Sequence, residues 1–153
     1  MEPTGFLDGI KEMIERTTGL TGDFIDSVDL RLRSLGYSVQ ESDAWMIAFI
    51  IQKVANTIKN ICNISVVPKS LKQVAIDMIC GEFLLNKKNT GQLDGFEIDV
   101  DSPALKQTQS GDTNVVFALE GMKTPEQRLD AVINYLMTYG LNQLIGFRRI
   151  KWT

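Results

Sequence analysis

The chain of 153 residues contains no histidine. This absence excludes every mechanism that needs a Ser–His or Cys–His pair and every metal site built on imidazole. Cysteine is also scarce: Cys62 and Cys80 lie far apart in the sequence and form no CxxC pair. They predict neither a zinc site nor a disulfide framework, and we interpret both as small apolar residues on packed helices.

A long hydrophobic run and an excess of basic charge are absent as well. The longest apolar stretch, residues 44–51, is far shorter than the roughly 20 residues of a membrane-spanning helix. The net charge of −3 disfavours general binding to nucleic acids. The acidic N-terminus has no signal-peptide pattern. We therefore expect a soluble protein, without a membrane partner, made in a reducing cytoplasm.

What the sequence does contain is helical periodicity. With 44% apolar residues it can form a packed core, and helices are predicted over residues 23–35, about 43–61, about 70–88 and 124–140. Residues 44–51 are apolar on every side, which predicts a central helix that buries Trp45. Ser42, Ser70 and Thr124 are expected N-caps, and Gly36 and Gly140 are expected stops. Gly81, in the middle of a helix, predicts the close approach of another helix.

Residues 89–123 have a different character. Residues 95–101 and 114–120 alternate apolar and polar positions and flank a polar, glycine-containing piece, which predicts a two-stranded β excursion. An isolated hairpin is marginally stable, so it would need support from the bundle or from another chain. Its carboxylates do not fit the spacing of a calcium loop, and we interpret them as a solvated strand face. They are Asp94, Glu97, Asp99 and Asp101.

The C-terminal tail alternates apolar and basic residues. Aromatic residues beside arginine are frequent anchors of protein interfaces. We interpret this pattern as a partner-binding segment; the alternative is a tail that folds back on its own bundle. The residues concerned are Phe147, Arg148, Arg149, Ile150, Lys151 and Trp152.

The residues together predict one all-α domain, 1–153, with a bundle of four to five helices. Its expected parts are an N-terminal arm or helix (1–22), a helical core (23–88), an extended loop or hairpin (89–123), a last helix (124–140) and an extended tail (141–153). No catalytic constellation, cofactor motif or metal motif is present in the sequence, so we expect a structural component of an assembly and not an enzyme.

Three stretches, in this order and spacing, resemble the head–tail connector (adaptor, or head-completion) proteins of tailed bacteriophages. They are the helix pair from SDAWMIAFIIQKVANTIKN to PKSLKQVAIDMICGEFL, the stretch SGDTNVVFALEG, and the tail FRRIKW. The resemblance covers roughly residues 42–153. It implies a ring, commonly of twelve copies, in the neck of the virion between the portal and a tail-completion or tail-terminator protein. Assembly would take place in the host bacterial cytoplasm.

The resemblance also implies roles for individual residues. Gly111, Asp112 and Thr113 would lie in a loop that faces neighbouring copies or the channel. The basic tail would contact the portal, and DNA would pass through the ring without specific binding. An acidic channel edge repels phosphate, so DNA would slide. Alternatives are another tail, tail-terminator or baseplate subunit, a helical DNA-binding regulator, and an enzyme that uses carboxylates.

Overall fold

A computed structural model describes residues 22–93 and 124–148, which are 78% helical and contain no strand. The helices are α1 (Gly22–Ser34), α2 (Ala44–Cys62), α3 (Lys72–Asn89), α4 (Pro125–Thr138) and the short α5 (Leu141–Gly146). Single 3₁₀ turns, Glu41–Asp43 and Lys69–Leu71, precede α2 and α3. The all-α class expected from the sequence is confirmed for this part of the chain. The predicted β excursion and the N-terminal arm before Gly22 lie outside the described residues.

Helix α3 is the centre of the bundle. It packs against α1, α2 and α4, and its side chains are buried on several sides, from Val74 and Ile76 to Phe83 and Leu84. Each of the three neighbours runs antiparallel to it. On α1 the order of contacts is Val28 with Cys80 and then Arg31 with Asp77, and the contacts of α2 and α4 follow the same reversed order.

The prediction that the helix over residues 43–61 is the central one is wrong. One face of α2 carries buried residues, but Trp45 and Phe49 are 78% and 77% exposed. The apolar run on α2 was misleading because α3, the helix that occupies the centre, has no such uninterrupted run. Gly81 lets α4 approach it closely, and its buried charges Asp77 and Lys87 have partners on other elements.

Helix termini were predicted with mixed success. Gly36 has the expected positive φ of 94°, and Tyr37 N–H donates to the carbonyl of Leu32, as in a Schellman stop. Thr124 caps α4, with Gln127 N–H donating to its Oγ1 at 3.1 Å. Ser42 and Ser70, by contrast, are not N-caps, because each lies inside the 3₁₀ turn that leads into its helix.

Two glycines allow close packing: Gly81 within α3, and Gly140 against the start of α3. A Cβ on Gly81 would lie 2.6 Å from Met137 Cγ and 3.0 Å from Leu136 Cβ, so the predicted close approach is confirmed. Gly140 does not stop a helix in a left-handed conformation, because its φ is −84°. It lies against Val74, between α4 and α5. The tail from residue 141 is therefore not extended at its beginning, since Leu141–Gly146 forms α5.

Gly140→Ala tests this contact. A Cβ at position 140 would overlap Cγ1 of Val74 and lie 2.9 Å from Cγ2, and overpacking of this kind costs about 1–3 kcal/mol. We expect urea denaturation to show a loss of that size. Gly146→Ala is the matched control, since nothing lies within 4 Å of a Cβ there. Equal stability of the two variants would contradict the contact.

Candidate interaction surface

The most unusual surface feature is an aromatic pair on α2. Trp45 and Phe49 are one helical turn apart and lie on the side of α2 that faces away from the buried Ile47, Ile51 and Val54. Two large aromatic rings, each more than three-quarters exposed, bury little in the single chain. Exposed aromatic side chains are typical anchors of protein interfaces. We call Trp45 and Phe49 the aromatic pair.

A buried ionic cluster fixes the start of the helix that carries the aromatic pair. Lys87 Nζ donates to Asp43 Oδ1 at 2.7 Å and to Gln92 Oε1 at 2.6 Å. Tyr37 Oη donates to Asp43 Oδ2 at 2.6 Å, and Gln40 N–H donates to the same oxygen at 2.9 Å. Both oxygens of a buried carboxylate are thus satisfied, and Asp43 is held two residues before Trp45.

Aromatic rings complete the surroundings of this ammonium group. Lys87 Nζ lies 5.9 Å from the centroids of both Tyr37 and Phe83, and these two rings meet edge to face at 5.3 Å. Cation–π attraction therefore adds to the ion pair. The cluster joins three separate parts of the chain: the segment between α1 and α2, the start of α2 and the end of α3.

The cluster also sets the ionisation of its members. Burial alone would raise the pKa of the Asp43 carboxyl, but hydrogen bonds from Lys87, Tyr37 and a backbone N–H outweigh it and leave that pKa below its ordinary value. Burial, together with the hydrogen bond to Asp43, raises the pKa of the Tyr37 hydroxyl. Asp43 is therefore an anion and Tyr37 a neutral donor at neutral pH.

A second buried ion pair lies between α1 and α3. Arg31 Nε donates to Asp77 Oδ1 at 3.1 Å, and both residues are buried. Burial raises the pKa of the Asp77 carboxyl, and Arg31 offsets only part of that effect. Burial and the nearby Asp77 also raise the pKa of the Cys80 thiol. A buried thiol of this kind is unreactive, in agreement with the structural role expected for the cysteines.

The chain leaves the described core at one end of the bundle. Gln92, which contacts Lys87, directly precedes the buried Leu93, the last described residue before the gap. The chain returns at Thr124, where α4 begins, and Asp130 on the second turn of α4 pairs with Lys88. Residues 94–123 therefore start and finish at the end of the bundle that holds Asp43 and Trp45.

The opposite end of the bundle carries the beginning of the tail. Cys62 Sγ, at the last residue of α2, donates to the carbonyl of the fully buried Leu144 at 3.3 Å. This contact fixes α5 about 27 Å from the start of α2, at 1.5 Å per residue. Leu141, Ile145 and Phe147 expose apolar side chains here, and the final residues 149–153 continue from this end.

Few of the site residues predicted from the sequence fall within the described residues. Phe147 is 37% exposed and Arg148 follows it at the surface, so both are available for contact. The rest of the predicted tail site lies outside the described residues: Arg149, Ile150, Lys151 and Trp152. So does the predicted loop site: Asp94, Glu97, Asp99, Asp101, Gly111, Asp112 and Thr113.

Sequence reasoning missed the aromatic pair and the buried cluster. Trp45 was expected in the core, and no buried partner was predicted for Lys87. The helical wheel of α2 did contain a signal that the aromatic pair is exposed. Trp45 and Phe49 share one stripe with two polar residues, Asn56 and Asn60. Nothing local to Lys87 indicates its partner, since Asp43 lies 44 positions away.

No metal site emerges from the residues that the structure describes. Over 22–93 and 124–148, no group of three or more Cys, Asp or Glu side chains is arranged to hold a metal ion. Within the same ranges no helix combines the length and apolarity that a membrane crossing requires. The chain matches no known family model, no curated protein and no solved structure.

Replacing Lys87 by Met tests the buried cluster. Removal of the cation leaves the Asp43 carboxylate buried without its ionic partner, which typically costs about 3–5 kcal/mol. We expect a loss of that order in urea denaturation. Lys88→Met is the matched control: Lys88 pairs with Asp130 at a more exposed site, where an ion pair contributes about 0–1 kcal/mol. Equal losses in both variants would contradict the assignment.

The lowered pKa of Asp43 predicts a pH dependence of stability. Because the folded pKa is below the unfolded one, the stabilisation is complete above the ordinary carboxyl range, about pH 4, and is lost as pH falls through the folded pKa. We expect the stability difference between the native chain and Asp43→Asn to narrow below about pH 4. Asp77 is present in both proteins, so its opposite contribution cancels. A difference that stays constant or widens in acid would disagree.

Proposed function

We propose that this chain is a structural subunit of the virion neck, a head–tail connector that forms a ring between the portal and the tail of a tailed bacteriophage. The resemblance of residues 42–153 to that family supports the proposal. The helical bundle also supports it, because apolar side chains are exposed at both of its ends. A ring that binds a portal needs no catalysis by its subunits, which agrees with a sequence that contains no catalytic motif.

The observation that carries the proposal is the polarity of the bundle. An adaptor between two different rings needs two different ends. Here the acidic residues 94–123 are rooted beside Asp43 and Lys87, and the basic tail leaves from α5, about 27 Å away along α2. Residues 94–123 contain six carboxylates and two lysines, whereas residues 147–153 contain three basic residues and no carboxylate. The two ends thus suit partners of different charge.

In the proposed neck, the tail contacts the portal. Phe147 and Arg148 begin this segment at the surface, and residues 149–153 alone span about 17 Å when fully extended. That reach is enough to enter a groove of an adjacent protein. The acidic segment at the other end would edge the channel and repel DNA phosphates, which favours passage over binding.

Deleting the gene from its phage or prophage tests the proposal. Negative-stain microscopy should show DNA-filled heads and finished tails that are not joined, because only the joint is missing. Intact joined particles would refute the connector assignment. Misshapen or missing tails would instead favour a tail, tail-terminator or baseplate subunit.

Complementation then tests the tail. A chain with Arg148, Arg149 and Lys151 all changed to Glu should fold with unchanged thermal stability but fail to restore joined particles. The control changes Lys59, Lys69 and Lys72 to Glu, which alters the net charge equally outside the tail. It should restore joined particles, because surface charges of this kind contribute little to stability.

A further inference from the structure

We propose that the free subunit forms an antiparallel dimer, in which α2 packs against α2 of a second copy and the aromatic pair is covered. The proposal starts from Trp45 and Phe49, two large side chains that are 78% and 77% exposed on a helix whose other face is buried. Such a two-fold contact does not join neighbouring copies of a ring, because those copies all point the same way along its axis. The inference therefore goes beyond the proposed function and does not depend on it.

The aromatic pair belongs to a continuous exposed stripe of α2. Helical periodicity places Asn56 and Asn60 on the same side of the helix as the two rings, and both are exposed. Within the part of the chain that the structure describes, α2 packs against α3 and α5 through its opposite, buried face. A helical surface about 22 Å long, from Trp45 to Asn60, is thus open to a second helix.

Charge at the two ends of this stripe argues for a second copy as the partner. Glu41 precedes the aromatic pair and Lys59 follows it, 18 positions or about five helical turns later, so both border the stripe on the same side. Among the described residues neither side chain forms an ion pair within its own chain. In a two-fold antiparallel helix pair, residues on the same border meet across the contact. Glu41 of each copy therefore lies beside Lys59 of the other.

The same charges select the orientation of the pair. A parallel arrangement would place Glu41 beside Glu41 and Lys59 beside Lys59, and like charges repel. The antiparallel arrangement instead gives an opposite-charge pair at each end. One stripe is thus complementary to itself only when the second copy is inverted.

The register set by these ion pairs also matches the uncharged residues. It places the two-fold axis near residue 50, so the two Phe49 rings lie within about 3 Å of one level along the helices and can stack. Each Trp45 then lies at about the level of Asn56 in the other copy. The side-chain amide of Asn56 can accept a hydrogen bond from the indole N–H. The aromatic rings and the polar half of the stripe therefore cover each other.

The size of the contact argues for a reversible dimer. A buried Trp or Phe side chain removes about 150–250 Å² from water, so four rings contribute about 600–1,000 Å². Stable interfaces bury roughly 1,200 Å² or more. We therefore expect a monomer–dimer equilibrium with a Kd on the order of 10–100 µM.

Sedimentation equilibrium of the 153-residue chain, at concentrations around that Kd, tests the dimer. Phe49→Ala should weaken association at least about tenfold, because it removes the ring beside the two-fold axis from both copies. Leu30→Ala is the matched control: Leu30 is an apolar residue on α1 that is 63% exposed, and its loss should leave the Kd unchanged. Both side chains are exposed, so thermal melts of the two variants should match that of the native chain.

Charge reversal tests the orientation and the register. Glu41→Lys and Lys59→Glu each bring like charges together at both ends of a dimer of identical copies, so each variant alone should dimerise about tenfold more weakly. An equimolar mixture of the two variants restores an opposite-charge pair at each end. The mixture should therefore associate as tightly as the native chain. Added salt should reduce the difference between the mixture and the single variants, since the ion pairs are exposed to solvent.

Several results would overturn the inference. A mixture no tighter than either variant alone would exclude this orientation, and a dimer unaffected by Phe49→Ala would use another surface. A chain that stays monomeric up to about 1 mM would exclude the second copy. In that case acrylamide quenching of Trp45, measured in a Trp152→Phe chain, identifies the alternative. A shielded Trp45 would mean that another part of the same chain covers the pair, and an accessible one would leave it for a different protein.

Discussion

A buried ammonium group constrains this fold more than any single apolar contact. Lys87 lies near the end of the central helix α3, is only 6% exposed, and cannot leave water without charged and polar acceptors. It finds them in Asp43 and Gln92. That requirement draws residues 37–43 back along α3 after α1 has run in the other direction. It also fixes where α2 begins, and therefore which side chains of α2 face solvent.

Which features of the fold could be predicted depends on how far apart in the sequence the interacting residues lie. The helices and the cap at Thr124 were predicted because their signals lie within a few residues of each other. These signals are the apolar periodicity, the N-cap residue and the residue that stops the helix. Gly81 was interpreted correctly, because a glycine inside a helix has few explanations besides close packing. The position of each helix in the bundle was not predictable in this way, since it depends on pairs such as Arg31 with Asp77, 46 positions apart.

The error at Trp45 has a physical lesson. A run of apolar residues on all sides of a helix predicts burial on all sides, but burial also needs neighbours. Helix α2 has α3 on one side and α5 at its end, and within residues 22–93 and 124–148 nothing of comparable size lies beside Trp45 and Phe49. An apolar run that exceeds the supply of neighbours among the described residues is a signal of a further contact, with another part of the chain or with another protein. The same pattern that misled the core prediction thus marks Trp45 and Phe49 as a candidate interaction surface.

The two ends of the bundle divide the proposed work. The aromatic pair and the point where the acidic segment begins lie at one end, near Asp43 and Lys87. The basic tail leaves from α5 at the other end, about 27 Å away along α2. In the proposed neck, separation along a single 19-residue helix would let one small chain contact its neighbours with one end and a different partner with the other.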